Sequence, residues 1–385
     1  MNRHSQPRLY LIAGEVSGDL HGASLARNLL EQCPTLSLRA MGGDRMAAAG
    51  VELAQHIAGV SFMGFVEVVE HLPTIWRLFR KIEADLLAFR PDALVLIDYP
   101  GFNLRMARFA RKHGIPVVYY IAPQVWAWNA GRTRRMKQLI DLLVVILPFE
   151  PAFFASYGLT AHFVGHPLLD VLPRATSQHT GPKPPQAAKP RVALLPGSRK
   201  QELRRMLPVM LEVARQRTDC EFVVALAPNL KPEQVFPQDL PPHISWIQGT
   251  TYDLLATVDA ALVTSGTATL ETGLMTVPQV VCYRGSWLSY QIARRLIRVP
   301  YISLVNLILN RPAVPELIQQ NLTVQRLAAE LDSLLADGHR RSQMLADYAE
   351  LRETLQHQGA SERAAGLILE LLQGKGEDVA LAGSR

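Results

Sequence analysis

Cysteine is scarce: three in 385 residues, Cys33, Cys220 and Cys282, far apart and with no CxxC among them. That excludes a disulfide framework and a thiolate zinc site, and it suits a reducing compartment such as the cytoplasm. Long apolar runs are missing too. The longest, such as LLVVILPF, fall far below the roughly 18 residues of a spanning helix, and the N-terminal MNRHSQPRLY lacks the apolar core of a secretion signal. Two phosphate-binding fingerprints are absent, the dinucleotide GxGxxG and the Walker GK[ST], which argues against a dehydrogenase and a P-loop enzyme. Charged residues make up only 19%, yet 40 Lys+Arg against 34 Asp+Glu leave a surplus of +6. Such a surplus favours an anionic substrate or an acidic membrane surface.

What is present is an alternation of apolar strands and helical stretches. RLYLIA, DALVLID, VVYYIAP and LLVVILP are continuous apolar strands, with helices read at ASLARNLLEQC and NLRMARFARKHG. Strands apolar on both faces belong to a parallel sheet covered on both sides, so residues 1–172 form a doubly wound α/β domain. Five prolines within 171–190 mark a linker, placed at 173–189. The pattern restarts over 190–355 with RVALLPGS, EFVVALAP, DAALVTSG and PQVVCYR. Two such halves place a ligand cleft at the carboxyl ends of their sheets. A last helix, 360–373, is expected to pack back on the first half.

The loops after the strands carry the chemistry. GEVSGDLHG reads as a glycine loop with Ser17 or Asp19 capping the next helix. Glu15 stands at the end of the first strand and faces the crevice, Ser17 is a possible acceptor contact, and His21 is a weaker one. Asp98 ends the strand DALVLID, placed either to take a proton from a hydroxyl or to form a turn, with Asn103 starting the following helix. In PGSRKQE, Ser198 caps a helix while Arg199 suits a phosphate. Ser265, Gly266 and Thr267 form a phosphate seat at a helix start, and Glu271, four residues on, accepts ribose hydroxyls or complements the helix dipole.

Between residues 61 and 82 the chain is unusually apolar. Ile75, Leu78, Phe79, Ile82 and Leu86 share a helical stripe, and Phe62, Met63, Phe65 and Trp76 add further area beside Arg77, Arg80 and Lys81. That pattern fits a core-facing helix or a contact with lipid. The basic run Arg132–Gln138 is a solvated face or meets headgroups. His162 and His166 have i,i+4 spacing, but Gly165 and Pro167 break the helix a metal site would need.

LYLIAGEVSGDLHG, IDYPGFN, APQVWAW, FVGHPLLD, LLPGSRKQE, TSGTATLE and YISLVNLI, in this order over about residues 8–372, resemble the lipid-A-disaccharide synthase family. The resemblance implies a GT-B fold: two Rossmann-like doubly wound domains facing a cleft. It implies an inverting transfer of 2,3-diacylglucosamine from its UDP donor to the 6-hydroxyl of 2,3-diacylglucosamine 1-phosphate (lipid X), giving a β-1,6 disaccharide 1-phosphate and UDP, with no metal or other cofactor. It further implies Asp98 as general base, Glu15 as an essential acid, and Arg199, Glu271 and Asn306 at the UDP end. A homodimer exchanging its C-terminal region, peripheral attachment to the inner membrane from the cytoplasm, and no nucleic-acid partner follow as expectations. The chemistry agrees, because an inverting transfer needs a base and stabilisation of the departing diphosphate but no enzyme nucleophile. Another GT-B sugar transferase or epimerase is the rival reading. A non-enzymatic membrane-associated nucleotide-binding module is a second, which leaves Glu15 and Asp98 without a purpose.

Overall fold

The computed structural model describes residues 6–58, 72–128, 130–172, 189–227, 230–236, 240–286, 291, 299–355 and 358–374. Phe62, Met63 and Phe65, and the linker apart from Lys189, lie outside the described residues. The chain divides into two units, residues 1–170 with 357–385, and residues 171–356.

In the first unit β1 (Arg8–Ala13), β2 (Ser37–Gly42), β3 (Glu52–His56), β4 (Ala93–Ile97), β5 (Val117–Tyr120), β6 (Leu142–Val145) and β7 (His162–Phe163) form one sheet in the order β3-β2-β1-β4-β5-β6-β7. All its neighbouring strands run parallel, and β1 pairs with β4 from Leu9↔Ala93 to Ala13↔Ile97. Strand β4 is buried along its whole length, and β1 is buried after Arg8. Alternate residues therefore feed two cores, Leu9, Leu11, Val95 and Ile97 on one face and Tyr10, Ile12, Leu94 and Leu96 on the other.

Helix Leu72–Phe89 seals the second face with Leu78, Phe79, Ile82 and Leu86, all buried. Phe79 stacks on Phe102 with ring centroids 4.1 Å apart. The expectation that Phe79 meets lipid is thus corrected: the same helical stripe that could have faced a membrane faces the sheet. Burying Ile82 fully contributes about 1.5–3 kcal/mol, one share of what holds this helix on the sheet.

The first face is covered by helix Val16–Gln32 and by the last helix, Ala360–Leu372, which packs along it with Ala364, Ala365 and Ile368 buried. Small residues let two helices approach closely, and here the approach is fastened at one end. Asp170 accepts the backbone N–H groups of Gly359 at 2.6 Å and Ser361 at 2.9 Å, satisfying the orphan donors of the helix start.

The second unit holds β8 (Arg191–Leu195), β9 (Glu221–Leu226), β10 (Ile244–Gln248), β11 (Ala260–Thr264), β12 (Gln279–Tyr283) and β13 (Glu316–Ile318) in the order β10-β9-β8-β11-β12-β13, again all parallel. In both sheets the first strand sits centrally and the order reverses beside it, between β1 and β4 in one and between β8 and β11 in the other. A break of this kind opens a crevice at the carboxyl ends of the two strands, since their following helices lie on opposite faces.

Among the described residues no helix is long and apolar enough to cross a membrane.

Candidate active site

Glu15 and Asp98 follow the two strands that flank the break in the first sheet. The turn after β1 is only Gly14 and Glu15. Glu15 is the N-cap of helix Val16–Gln32, with extended backbone (φ −139°, ψ 163°). Most of GEVSGDLHG is therefore helix rather than the expected loop, and neither Ser17 nor Asp19 caps it. Ser17 is exposed in the first turn. Asp19 is buried and caps a different helix, Asp44–Ala48, by accepting the N–H groups of Gly43 at 2.7 Å and Met46 at 3.1 Å. His21 is buried as well, and burial draws its pKa down to about 4, so it is a neutral interior group rather than a surface contact.

Asp98 and Tyr99 are both left-handed, with φ of 46° and 45°. Two consecutive non-glycine residues there cost roughly 1–3 kcal/mol each, so neighbouring groups must hold them. They do. The Asp98 carbonyl accepts the Tyr119 hydroxyl at 2.7 Å and the Asn103 side-chain amide at 2.7 Å, and that amide also reaches the Ile97 carbonyl at 3.1 Å. Pro100, not Asn103, opens the next helix (Pro100–Lys112), and Asn103 lies inside it as a buried clamp. Burial raises the Asp98 pKa, opposed by a backbone hydrogen bond from Tyr99. A partly desolvated carboxylate of this kind is a stronger base than one in water.

Tyr99 joins the two acids. A Cβ on Gly14 would fall 2.1 Å from its ring, so glycine is required for the ring to lie on the β1 turn. Its phenol is held protonated by burial and by the charge of Glu15. Further along the chain, Glu150 is buried with its pKa pushed up to about 7 by desolvation. It accepts from the Trp126 indole at 3.2 Å and from the backbone of Leu147 at 2.9 Å, tying the segment after β5 to the turn after β6. Sequence reasoning missed these supports, because each ties a helix or loop side chain to a group on a different element or turn.

In the second unit Ser198 and Arg199 follow β8, and Ser265, Gly266 and Thr267 follow β11. Arg199, rather than Ser198, is the N-cap of helix Lys200–Gln216; both are exposed. The Arg199 N–H reaches Glu202 at 3.3 Å, and its guanidinium lies 3.5 Å from the same carboxylate. Gly197 is left-handed (φ 101°), and a Cβ there would meet Glu202 at 2.5 Å.

Helix Thr267–Leu274 has Gly266 as its N-cap and no side-chain cap, with open space where a Gly266 side chain would stand. Its first N–H groups and dipole thus offer a seat for an anion. Glu271, one turn deeper, accepts the Tyr252 hydroxyl at 2.7 Å; burial raises its pKa and that hydrogen bond opposes the rise. The Ser265 hydroxyl donates to the Ile302 carbonyl at 3.0 Å. Asn306 is buried with its amide engaged: it donates to Val314 and Glu316 at 2.9 Å each and accepts from the Val314 N–H at 2.9 Å. Glu316 in turn accepts the Ser303 N–H at 2.9 Å. Asn306 therefore acts on the 302–303 backbone that Ser265 touches, through Glu316.

His166 is buried and neutral, its Nδ1 accepting the Leu168 N–H at 3.2 Å, and burial lowers its pKa to about 3. Among the described residues no three His, Cys, Asp or Glu side chains group as metal ligands.

A family model described as lipid-A-disaccharide synthetase matches residues 9–371. The chain is 42% identical to the lipid-A-disaccharide synthase of Syntrophus aciditrophicus (strain SB), over 94% of this chain and 97% of the other. It is 40% identical to that of Geobacter sulfurreducens, over 97% and 99%. Solved structures of the same fold include the glycotransferase of kitacinnamycin (TM-score 0.66, 17% identity, covering 96% of this chain and 100% of that one). The UDP-GlcNAc 2-epimerase from Neisseria meningitidis, bound to UDP-GlcNAc, is another (TM-score 0.64, 13% identity, 94% and 100%). With two parallel doubly wound units and relatives matched end to end, the chain belongs to the lipid-A-disaccharide synthase family, glycosyltransferases of the GT-B fold.

Proposed function

We propose that the chain transfers 2,3-diacylglucosamine from UDP-2,3-diacylglucosamine to the 6-hydroxyl of 2,3-diacylglucosamine 1-phosphate, with inversion and release of UDP. The observation that carries this reading is the unequal furnishing of two like crevices: carboxylates on a strained rim in the first unit, an uncapped helix start after β11 and an exposed Arg after the neighbouring β8 in the second. Asp98 takes the proton of the acceptor hydroxyl as its oxygen bonds to the anomeric carbon. The bond from that carbon to the diphosphate breaks, and the electron pair leaves with UDP. Glu15 fixes the acceptor beside Asp98, with Ser17 on the same turn.

Arg199 and the N–H groups at Gly266–Thr267 receive the growing negative charge of the diphosphate, aided by Ser198 and Ser265. Glu271 receives the ribose, and Asn306 is a positioning residue for the Ser265 segment. Charge stabilisation in place before the reaction costs no reorganisation during it.

The acylated substrates are met from the cytoplasmic side of the inner membrane. Trp76 is 61% exposed, and the Arg80 guanidinium lies 5.1 Å from its ring centroid. An aromatic with a cation at its face suits an interface of acyl chains and anionic headgroups. Phe62, Met63 and Phe65 are apolar side chains whose chemistry suits the same lipid, and the working form is a homodimer that exchanges its C-terminal region. Incubation with both acylated precursors, read by mass spectrometry, is expected to give the disaccharide 1-phosphate and UDP in equal amounts. Release of UDP without the disaccharide, or a changed sugar still on UDP, overturns the assignment in favour of another transferase or an epimerase.

A further inference from the structure

The Tyr252–Glu271 hydrogen bond joins two helices that follow different strands of the second sheet. Tyr252 lies on the short helix Thr251–Leu255 that follows β10, at one edge of the second sheet, whereas Glu271 lies on helix Thr267–Leu274 beside the central break. The donor and acceptor are unambiguous. An ionised carboxylate has no hydrogen to give, so the phenol donates to Oε1 at 2.7 Å. No other hydrogen bond reaches this carboxylate among the described residues, which leaves Oε2 with its acceptor capacity unused. Glu271 stands four residues after Thr267, one turn or about 6 Å along the axis from the uncapped helix start.

We propose that Tyr252 is a positioning residue for the donor nucleotide: its hydroxyl fixes the Glu271 carboxylate so that the second oxygen accepts the ribose hydroxyls of a uridine diphosphate whose phosphates sit at the helix start. The inference rests on the nucleotide reading of this unit and adds to it the group that makes the ribose contact selective. A half-buried glutamate free to rotate would have to be ordered when the nucleotide arrives. One already held by Tyr252 is ordered beforehand, and preorganisation of this kind appears as affinity. It also appears as selectivity, because a site built around an oriented acceptor discriminates strongly against a ligand lacking the matching hydroxyl. Burial raises the Glu271 pKa and the Tyr252 hydrogen bond opposes that rise, so the phenol favours the ionised form of the acceptor.

The test is a cycle of two ligands and three proteins. Calorimetric Kd values for UDP and 2′,3′-dideoxy-UDP are measured on the full chain, on Tyr252→Phe and on Glu271→Gln. Tyr252→Phe removes one hydroxyl and is expected to weaken UDP about 10-fold while leaving the dideoxy nucleotide unchanged. The acid limb of UDP binding should move to higher pH in that variant, since Glu271 has lost the bond favouring its ionised form. Tyr252→Gln, which retains a shorter N–H donor, should recover part of the loss; if the Phe variant does not fold, the Gln variant is read in its place, with a smaller loss confined to UDP as the expected result. An equal loss for both nucleotides would show that Tyr252 only supports the fold, and no loss for either would show that it does nothing to the ribose; both outcomes overturn the proposal. Wild-type protein that binds the dideoxy nucleotide as tightly as UDP would instead remove the ribose from Glu271, and the nucleotide reading of that residue would fall with the inference.

Discussion

The two sheets share a strand order but differ in what stands at the break in it. Beside β1 and β4 the chain places two carboxylates, and it holds one of them on left-handed backbone with side-chain clamps from Tyr119 and Asn103. Beside β8 and β11 it places a small uncapped turn, an exposed Arg and open space where a Gly266 side chain would stand. The fold supplies the same crevice twice. Side chains at the strand ends then make one crevice basic toward protons and the other attractive to anions. Strain is concentrated in the first because a proton acceptor has to be held in place, whereas an anion seat made of backbone needs only the absence of a side chain.

That division can be broken from either side. The largest effect is expected at Asp98. Asp98→Asn should lower kcat by about 10²- to 10⁴-fold with UDP affinity unchanged, since a general base contributes that much and acts on the other substrate. In the wild type, kcat/KM should fall on acidification with a midpoint above the ordinary carboxylate value of about 4, because burial raises the Asp98 pKa and the base works only when ionised. An Asn variant with near-native turnover removes Asp98 from this role.

Gly266→Ala should act in the opposite way. At φ 157°, ψ −163° an L-residue is strained by roughly 1–3 kcal/mol. UDP binding should weaken on the order of tenfold, with kcat at saturating donor close to wild type; unchanged affinity would remove the helix start from the anion site. Arg199→Ala should also raise KM for the donor, by about 10-fold, and more at low ionic strength than at high, as for an exposed cation meeting phosphate. Trp76→Ser should have the smallest effect. Co-sedimentation with anionic vesicles should drop several-fold while thermal stability holds, because this side chain is exposed. Undiminished vesicle binding would take Trp76 out of the lipid contact.

Much of this architecture was legible where burial is complete. Strands β1, β4, β5, β6, β8, β9, β11 and β12 read as apolar runs because packed residues cover both faces. β3, β7 and β10 lie at sheet edges and keep polar residues, so ELAQH, HF and ISWIQ carry no such signal. β2 was hidden by Arg39, which leaves the apolar pattern to bind Asp85 on helix Leu72–Phe89. The candidate acids were legible for a related reason, since a polar residue directly after a buried strand has few structural purposes. Tyr252, Glu316 and the Asn103 clamp were not, because each is defined by a partner on a different element. Phe79 shows the limit of periodicity: the stripe located its face correctly and was silent on whether sheet or lipid would cover it.

The most direct measurement is a crystal structure of the chain with UDP. The account predicts the diphosphate against Arg199 and the N–H groups at Gly266–Thr267, the ribose hydroxyls on Glu271, and Asp98 and Glu15 clear of the nucleotide. UDP seated at Glu15 and Asp98 instead, with the helix start at Thr267 unoccupied, would contradict it.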